Sequence, residues 1–180
     1  MPNLHPYIEL TKPRITTMVV VMAALGFFLG AHGNVSLVPM LWTLLGTAMV
    51  SAGSAALNHY LERDVDALMH RTKERPLPSG ELTSAATLSF GFGLILVGQI
   101  LLVVLVNLLT AWLALLTAFL YVVIYTPMKR MTWLNTSLGA IPGALPPVGG
   151  WVAASGEIEL GAWALFAILF TWQHPHFYSI

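Results

Sequence analysis

The chain is 180 residues long, 57% hydrophobic and only 9% charged, with a formal net charge of zero. A soluble domain carries about 25% charged residues, so an ordinary soluble fold is excluded, and no bulk field points to nucleic acid. The absence of cysteine removes disulfides, thiolate metal sites, iron–sulfur clusters and cysteine nucleophiles.

Six apolar spans are predicted, at about 15–33, 37–60, 84–107, 109–127, 134–154 and 160–180. Each is close to the ~20 residues that cross a bilayer as a helix, the form that satisfies its own backbone in lipid. Lys12 and Arg14 precede the first run, from Ile15 to Leu29, in the manner of a signal peptide. "LGAHG" is a poor cleavage site and further spans follow, so this run reads as an uncleaved first helix. No repeat, low-complexity tract or soluble domain is evident, and residues 1–180 read as a single transmembrane domain.

The connections alternate in character. Residues 31–36 carry no formal charge, residues 61–83 are dense in charge, the turn near Asn107 is uncharged, "MKR" at 128–130 is basic, and "SGEIE" at 155–159 is acidic only. Threaded back and forth, all eight Lys and Arg fall on one side, at Lys12, Arg14, Arg63, Arg71, Lys73, Arg75, Lys129 and Arg130. The positive-inside rule places the N-terminus and both charged loops in the cytoplasm. The sixth span reaches Ile180 with no polar tail, so the chain is expected to be part of a longer protein.

Half of the charged side chains fall in "LNHYLERDVDALMHRTKERPLPSG", residues 57–80. Asn58, Glu62 and Asp66 are spaced i, i+4, i+8, which puts them within about 80° on one helix face and spreads them over about 12 Å. Two carboxylates and a carboxamide make an oxygen-only donor set suited to Mg²⁺ shared with phosphate oxygens. Asp64 points to nearly the opposite side. Arg71, Lys73 and Arg75 follow, and Arg matches phosphate bidentately. A merely solvated loop that fixes topology would explain Arg71, Lys73, Glu74 and Arg75. It explains the shared face of Asn58, Glu62 and Asp66 less well, since ionisable groups at the end of a membrane helix are costly. Pro76, Pro78, Ser79 and Gly80 end the segment.

Further along, Lys129 and Arg130 in "YTPMKRMTWLN" are placed to approach the same phosphates, or serve as anchors. "LGAIPGALPPVGGW" holds Pro142, Pro146, Pro147 and four glycines, and a span this interrupted is expected to line a pocket. In "TWQHPHF", His174 and His176 flank Pro175 and are candidates for proton handling or haem ligation. His5, His32, His59 and His70 read as packing or solvated residues.

The Asn58, Glu62, Asp66 pattern resembles the first polar motif of the UbiA superfamily of intramembrane prenyltransferases. That motif usually places a further acid directly after the Asn, where this chain has His59. The wording of "LTKPRI", "LERDVDALMHRTKERPLPSG", "YTPMKRMTWLN", "GALPPVGGW" and "WQHPHF" is similar to the haem-farnesylating branch, the haem O synthases, in the same order over nearly the whole chain. The resemblance implies an all-α membrane bundle of nine helices, of which this chain would hold six. It implies transfer of farnesyl from farnesyl diphosphate to a vinyl group of haem b, with Mg²⁺ as cofactor. Asn58, Glu62 and Asp66 would be the catalytic metal-holding set, and Arg71, Arg75, Lys129 and Arg130 the diphosphate-binding set. It also implies a bacterial inner or mitochondrial inner membrane, with haem A synthase or a terminal oxidase as possible assembly partners. Many superfamily members carry a second acid-rich motif in the loop after the fourth helix, where this chain offers Lys129, Arg130 and Asn135 and no acid. A transferase with a quinone-precursor or chlorophyll-type acceptor, a transporter and a haem-binding assembly factor remain as alternatives.

Overall fold

The computed structural model describes residues 4–129, 131–132 and 134–179. A short helix α1 (His5–Leu10) meets α2 (Pro13–Gly30) at Lys12, whose backbone is left-handed with φ 46°. Pro13 opens α2, where its missing N–H costs nothing. The turn after α2 uses His32 (φ 48°) and Gly33 (φ 90°) and leads into α3 (Leu37–Asp66). At 30 residues α3 is about 45 Å long, half as long again as a hydrocarbon core of about 30 Å, so its last turns extend beyond what lipid requires.

A loop of turns carries the chain to α4 (Ser84–Leu105), capped by the Thr83 side chain, which accepts from Ala86 N. Asn107 caps α5 (Leu108–Phe119) by accepting from Thr110 N at 2.7 Å. The same rod continues through a π-helical turn, Leu120–Tyr125, into α6 (Thr126–Met128). Then come α7 (Asn135–Ser155), ended by Gly156 at φ 84°, and α8 (Leu160–Tyr178). No strand occurs among the described residues.

Four helical rods are long and apolar enough to cross a membrane: α2, α3, α4 and Leu108–Met128. The remaining two expected spans, α7 and α8, form helices of 21 and 19 residues. They are less apolar because α7 carries three prolines and α8 ends in Gln173, His174 and His176. The bundle is that of an integral membrane protein, and its helices are drawn together by close backbone packing, since lipid offers no hydrophobic contrast. A Cβ on Gly53 would lie 2.5 Å from the Gly91 carbonyl oxygen, and one on Gly98 2.9 Å from that of Gly46, so α3 and α4 meet through paired glycines. On the other side α2 and α7 touch at Gly26 against Pro147 and at Gly150 against Ala23.

The proline-rich segment is an unbroken helix. Its interruptions act on shape: α7 packs α2, α5 and α8 closely while leaving space beside Pro142, Gly143 and Pro146.

Candidate active site

That space is a cavity of about 420 Å³ between α2, α3, the α5 rod and α7, within the range of about 300–1,000 Å³ usual for small-molecule sites. It runs beside the α5 rod from Thr110 to Tyr125, about 22 Å at helical rise. Its walls are mostly apolar, including Ile15, Val19, Val50, Leu113 and Leu145. Lys12, Asn58 and Lys129 line one end of it.

Beyond that end the α3 stripe is assembled as its spacing requires. Asn58, Glu62 and Asp66 are 1%, 5% and 4% exposed. Among the described residues each meets a cation, and the three cations come from three separate segments. Lys12, at the α1–α2 junction, donates to Asn58 Oδ1. Lys129, after α6, forms an ion pair with Glu62. Arg75, in the loop after α3, donates from Nη1 to Asp66 Oδ2 at 2.7 Å. That loop is held by Thr72 Oγ1, which donates to the Asp66 carbonyl at 2.9 Å, and by buried Pro76, whose carbonyl accepts from Leu82 N.

The Asn58 amide is fixed from both ends, because its Nδ2 donates to Thr126 Oγ1 at 3.1 Å. Thr126 in turn donates to the Tyr121 carbonyl at 2.8 Å, across the π turn. Such turns occur often at functional sites. This one places the stacked rings of Tyr121 and Tyr125, 5.9 Å between centroids, on the cavity wall. Burial above all, then Arg75 and Lys129 nearby, pull the Lys12 ammonium down from 10.5 to about 8, with Asp66 opposing.

The structure thus brings together Asn58, Glu62, Asp66, Arg75 and Lys129. Arg71 is exposed and engages no partner among the described residues, and Arg130 lies outside them. Asp64 is exposed and among the described residues pairs with Arg63 alone, at 3.6 Å. His59, one residue after Asn58, is buried, and neither ring nitrogen has a hydrogen-bond partner among the described residues.

The two C-terminal histidines differ. His174 Nδ1 donates to the Phe170 carbonyl at 2.8 Å, so its Nε2 accepts from Ser137 at 3.0 Å and ties α8 to α7. His176 is exposed and stacks on Trp172 at 4.7 Å. Neither lines the cavity, whereas Phe177 does. Lys12 is the site residue that sequence reasoning missed. In sequence it looks like a flanking charge, and its role depends on a contact 46 residues away.

The donor set fits a hard divalent cation. Buried carboxylate and carboxamide oxygens already draw three cationic groups onto one helix face, so the stripe demands positive charge. Among the described residues no three His, Asp or Glu side chains gather as a metal cage. Mg²⁺ takes one or two carboxylates and completes its shell with phosphate oxygens and water, so Asn58, Glu62 and Asp66 are donors of the kind it uses.

A buried oxygen stripe, surrounding cations and an apolar cavity are chemically suited to a ligand with an anionic head and an apolar body. The chain belongs to the UbiA prenyltransferase family, whose model matches residues 19–180. It is 47% identical to the protoheme IX farnesyltransferase of Solibacter usitatus, over 98% of this chain and 64% of that one. The proteins of the same name from Salinibacter ruber and Aquifex aeolicus are 48% and 43% identical, again over 98% of this chain and over 62% and 61% of theirs. The chain therefore spans about three-fifths of the length of these relatives. A solved structure from work on digeranylgeranylglyceryl phosphate synthase in membranes superposes with a TM-score of 0.83. It covers 94% of this chain and 59% of that one at 18% identity, a likeness of fold.

Proposed function

We propose that this chain carries the diphosphate-binding half of a haem-farnesylating enzyme that moves farnesyl from farnesyl diphosphate to a vinyl group of haem b, giving haem O. The observation that carries the reading is the α3 stripe, with each of its three oxygen donors met by a cation at the mouth of an apolar cavity. The names of the relatives supply the acceptor.

Asn58, Glu62 and Asp66 would hold Mg²⁺, which supplies Lewis-acid stabilisation of the departing diphosphate. Arg75 and Lys129 bind phosphate oxygens and carry part of the charge that grows on them. The bond from farnesyl C1 to the diphosphate oxygen breaks, and its electron pair leaves with diphosphate. C1 then bonds to the terminal vinyl carbon, water oxygen bonds to the inner carbon, and water's spare proton is released. The cavity shields the allylic group from early water. Its run of about 22 Å accommodates a farnesyl chain, roughly 14 Å when extended on carbon–carbon bonds of about 1.5 Å.

Of the two C-terminal histidines, His176 is the one whose ring nitrogens make no hydrogen bond among the described residues and so can be offered to haem or to a proton, because both nitrogens of His174 are engaged. The basic residues gather at one end of the bundle, and the positive-inside rule makes that end cytoplasmic, in the membrane where haem is delivered to terminal oxidases.

The acceptor is tested by competition. Membranes carrying the full-length protein are given farnesyl diphosphate and Mg²⁺ with haem b or with 4-hydroxybenzoate. Farnesylated haem alone is expected, and a farnesylated aromatic acid would move the assignment to another branch of the family.

A further inference from the structure

Among the described residues three cations face the α3 stripe, and two of its three members are acids. Glu62 answers Lys129 and Asp66 answers Arg75, but Lys12 is answered by the neutral amide of Asn58. Lys12 is thus the cation whose partner on the stripe carries no charge. A lysine that merely marks a helix end would extend its ammonium into water, since its stem is long enough to do so. Here the ammonium turns inward to Asn58 Oδ1 and lines the cavity. Its backbone is also strained. A non-glycine residue at φ 46° directly before a proline persists only where its surroundings hold it. Half-buried like charges gathered at a cavity mouth are the mark of an anion site.

We infer that Lys12 is a third diphosphate-binding residue, which passes from Asn58 Oδ1 to a phosphate oxygen as Asn58 turns to the metal. The inference rests on the reading of the site given above. It has a consequence for binding. Metal alone must take Asn58 from an ammonium that then has no partner, and diphosphate alone must draw Lys12 away and leave the carboxamide oxygen unpaired. Each ligand removes the other's cost, so the two bind synergistically.

The test titrates inorganic pyrophosphate into the full-length protein in detergent, with and without Mg²⁺, by calorimetry. In the unaltered protein Mg²⁺ is expected to tighten pyrophosphate binding about tenfold or more, the scale of one charge-assisted hydrogen bond. Lys12→Met is expected to weaken Mg-pyrophosphate binding about tenfold and to shrink the Mg²⁺ effect to under about threefold. Lys12→Arg should restore most of both, and Lys73→Met, in the exposed part of the loop, should change neither. An unaltered protein that binds Mg²⁺ and pyrophosphate independently would overturn the inference without any variant. So would a folded Lys12→Met protein that binds Mg-pyrophosphate as tightly as the parent. A folded parent that binds no Mg-pyrophosphate at all would overturn the functional reading itself, and the inference with it.

Discussion

Arg75 and Asp66 are nine residues apart, and the 2.7 Å contact between them folds the loop after α3 back onto the helix that precedes it. Asp66 is almost wholly buried and Arg75 about 29% exposed at its side chain, so the pair is anchored on the acid side and open on the basic side. Arg75→Met leaves a buried carboxylate without its cation. The expected cost is about 1–3 kcal/mol, below the figure for a fully buried pair. Thermal unfolding in detergent measures it, and a variant as stable as the parent would mean that the pair contributes nothing to the fold.

Asp66→Asn keeps the shape and the contact but removes the charge. Loss of one stabiliser of a developing oxyanion typically lowers kcat by about 10²–10³. Stability should change far less than activity. Comparable falls in both would assign Asp66 to the fold and not to the site.

The α3–α4 seam gives a test free of chemistry. A side chain at Gly53 meets the Gly91 carbonyl at 2.5 Å, whereas one at Gly93 meets nothing within 4 Å. Gly53→Val is therefore expected to cost about 1–3 kcal/mol or more. Gly93→Ala, in α4, should be neutral or slightly stabilising from helix propensity. Unfolding temperatures of the two variants, compared side by side, check the seam.

The two histidines should separate by readout. His174→Phe removes hydrogen bonds to Ser137 and Phe170, at an expected cost of about 1–3 kcal/mol of stability. His176→Ala removes a ring stacked on Trp172 that forms no such tie. On the proposed reading it weakens haem b binding, followed by the haem absorption band, while unfolding barely moves. Unchanged haem binding in His176→Ala would remove that residue from the site.

These positions show what a sequence can carry. The stripe of Asn58, Glu62 and Asp66 was legible because helical geometry alone puts i, i+4 and i+8 on one face. The bundle was legible from apolar length, and the one-sided distribution of Lys and Arg from the loops between. Three things were not. Arg71 and Arg75 look alike in sequence, and only the fold of the loop sends one to Asp66 and leaves the other exposed. Continuity of α7 through three prolines depends on neighbours that pack its freed backbone, and these come from distant segments. Lys12 reads as a topology signal, and its contact with Asn58 exists only once α2 lies against α3.

The central claim is that the α3 stripe holds the metal–diphosphate of a haem-farnesylating reaction. Its most direct test is haem O formation, followed by mass spectrometry, in membranes carrying the full-length protein with haem b, farnesyl diphosphate and Mg²⁺. The unaltered protein is expected to form haem O, and a folded Glu62→Gln, Asp66→Asn double variant is expected to form none detectable. Undiminished haem O from the double variant, or none from the folded parent, would contradict the account.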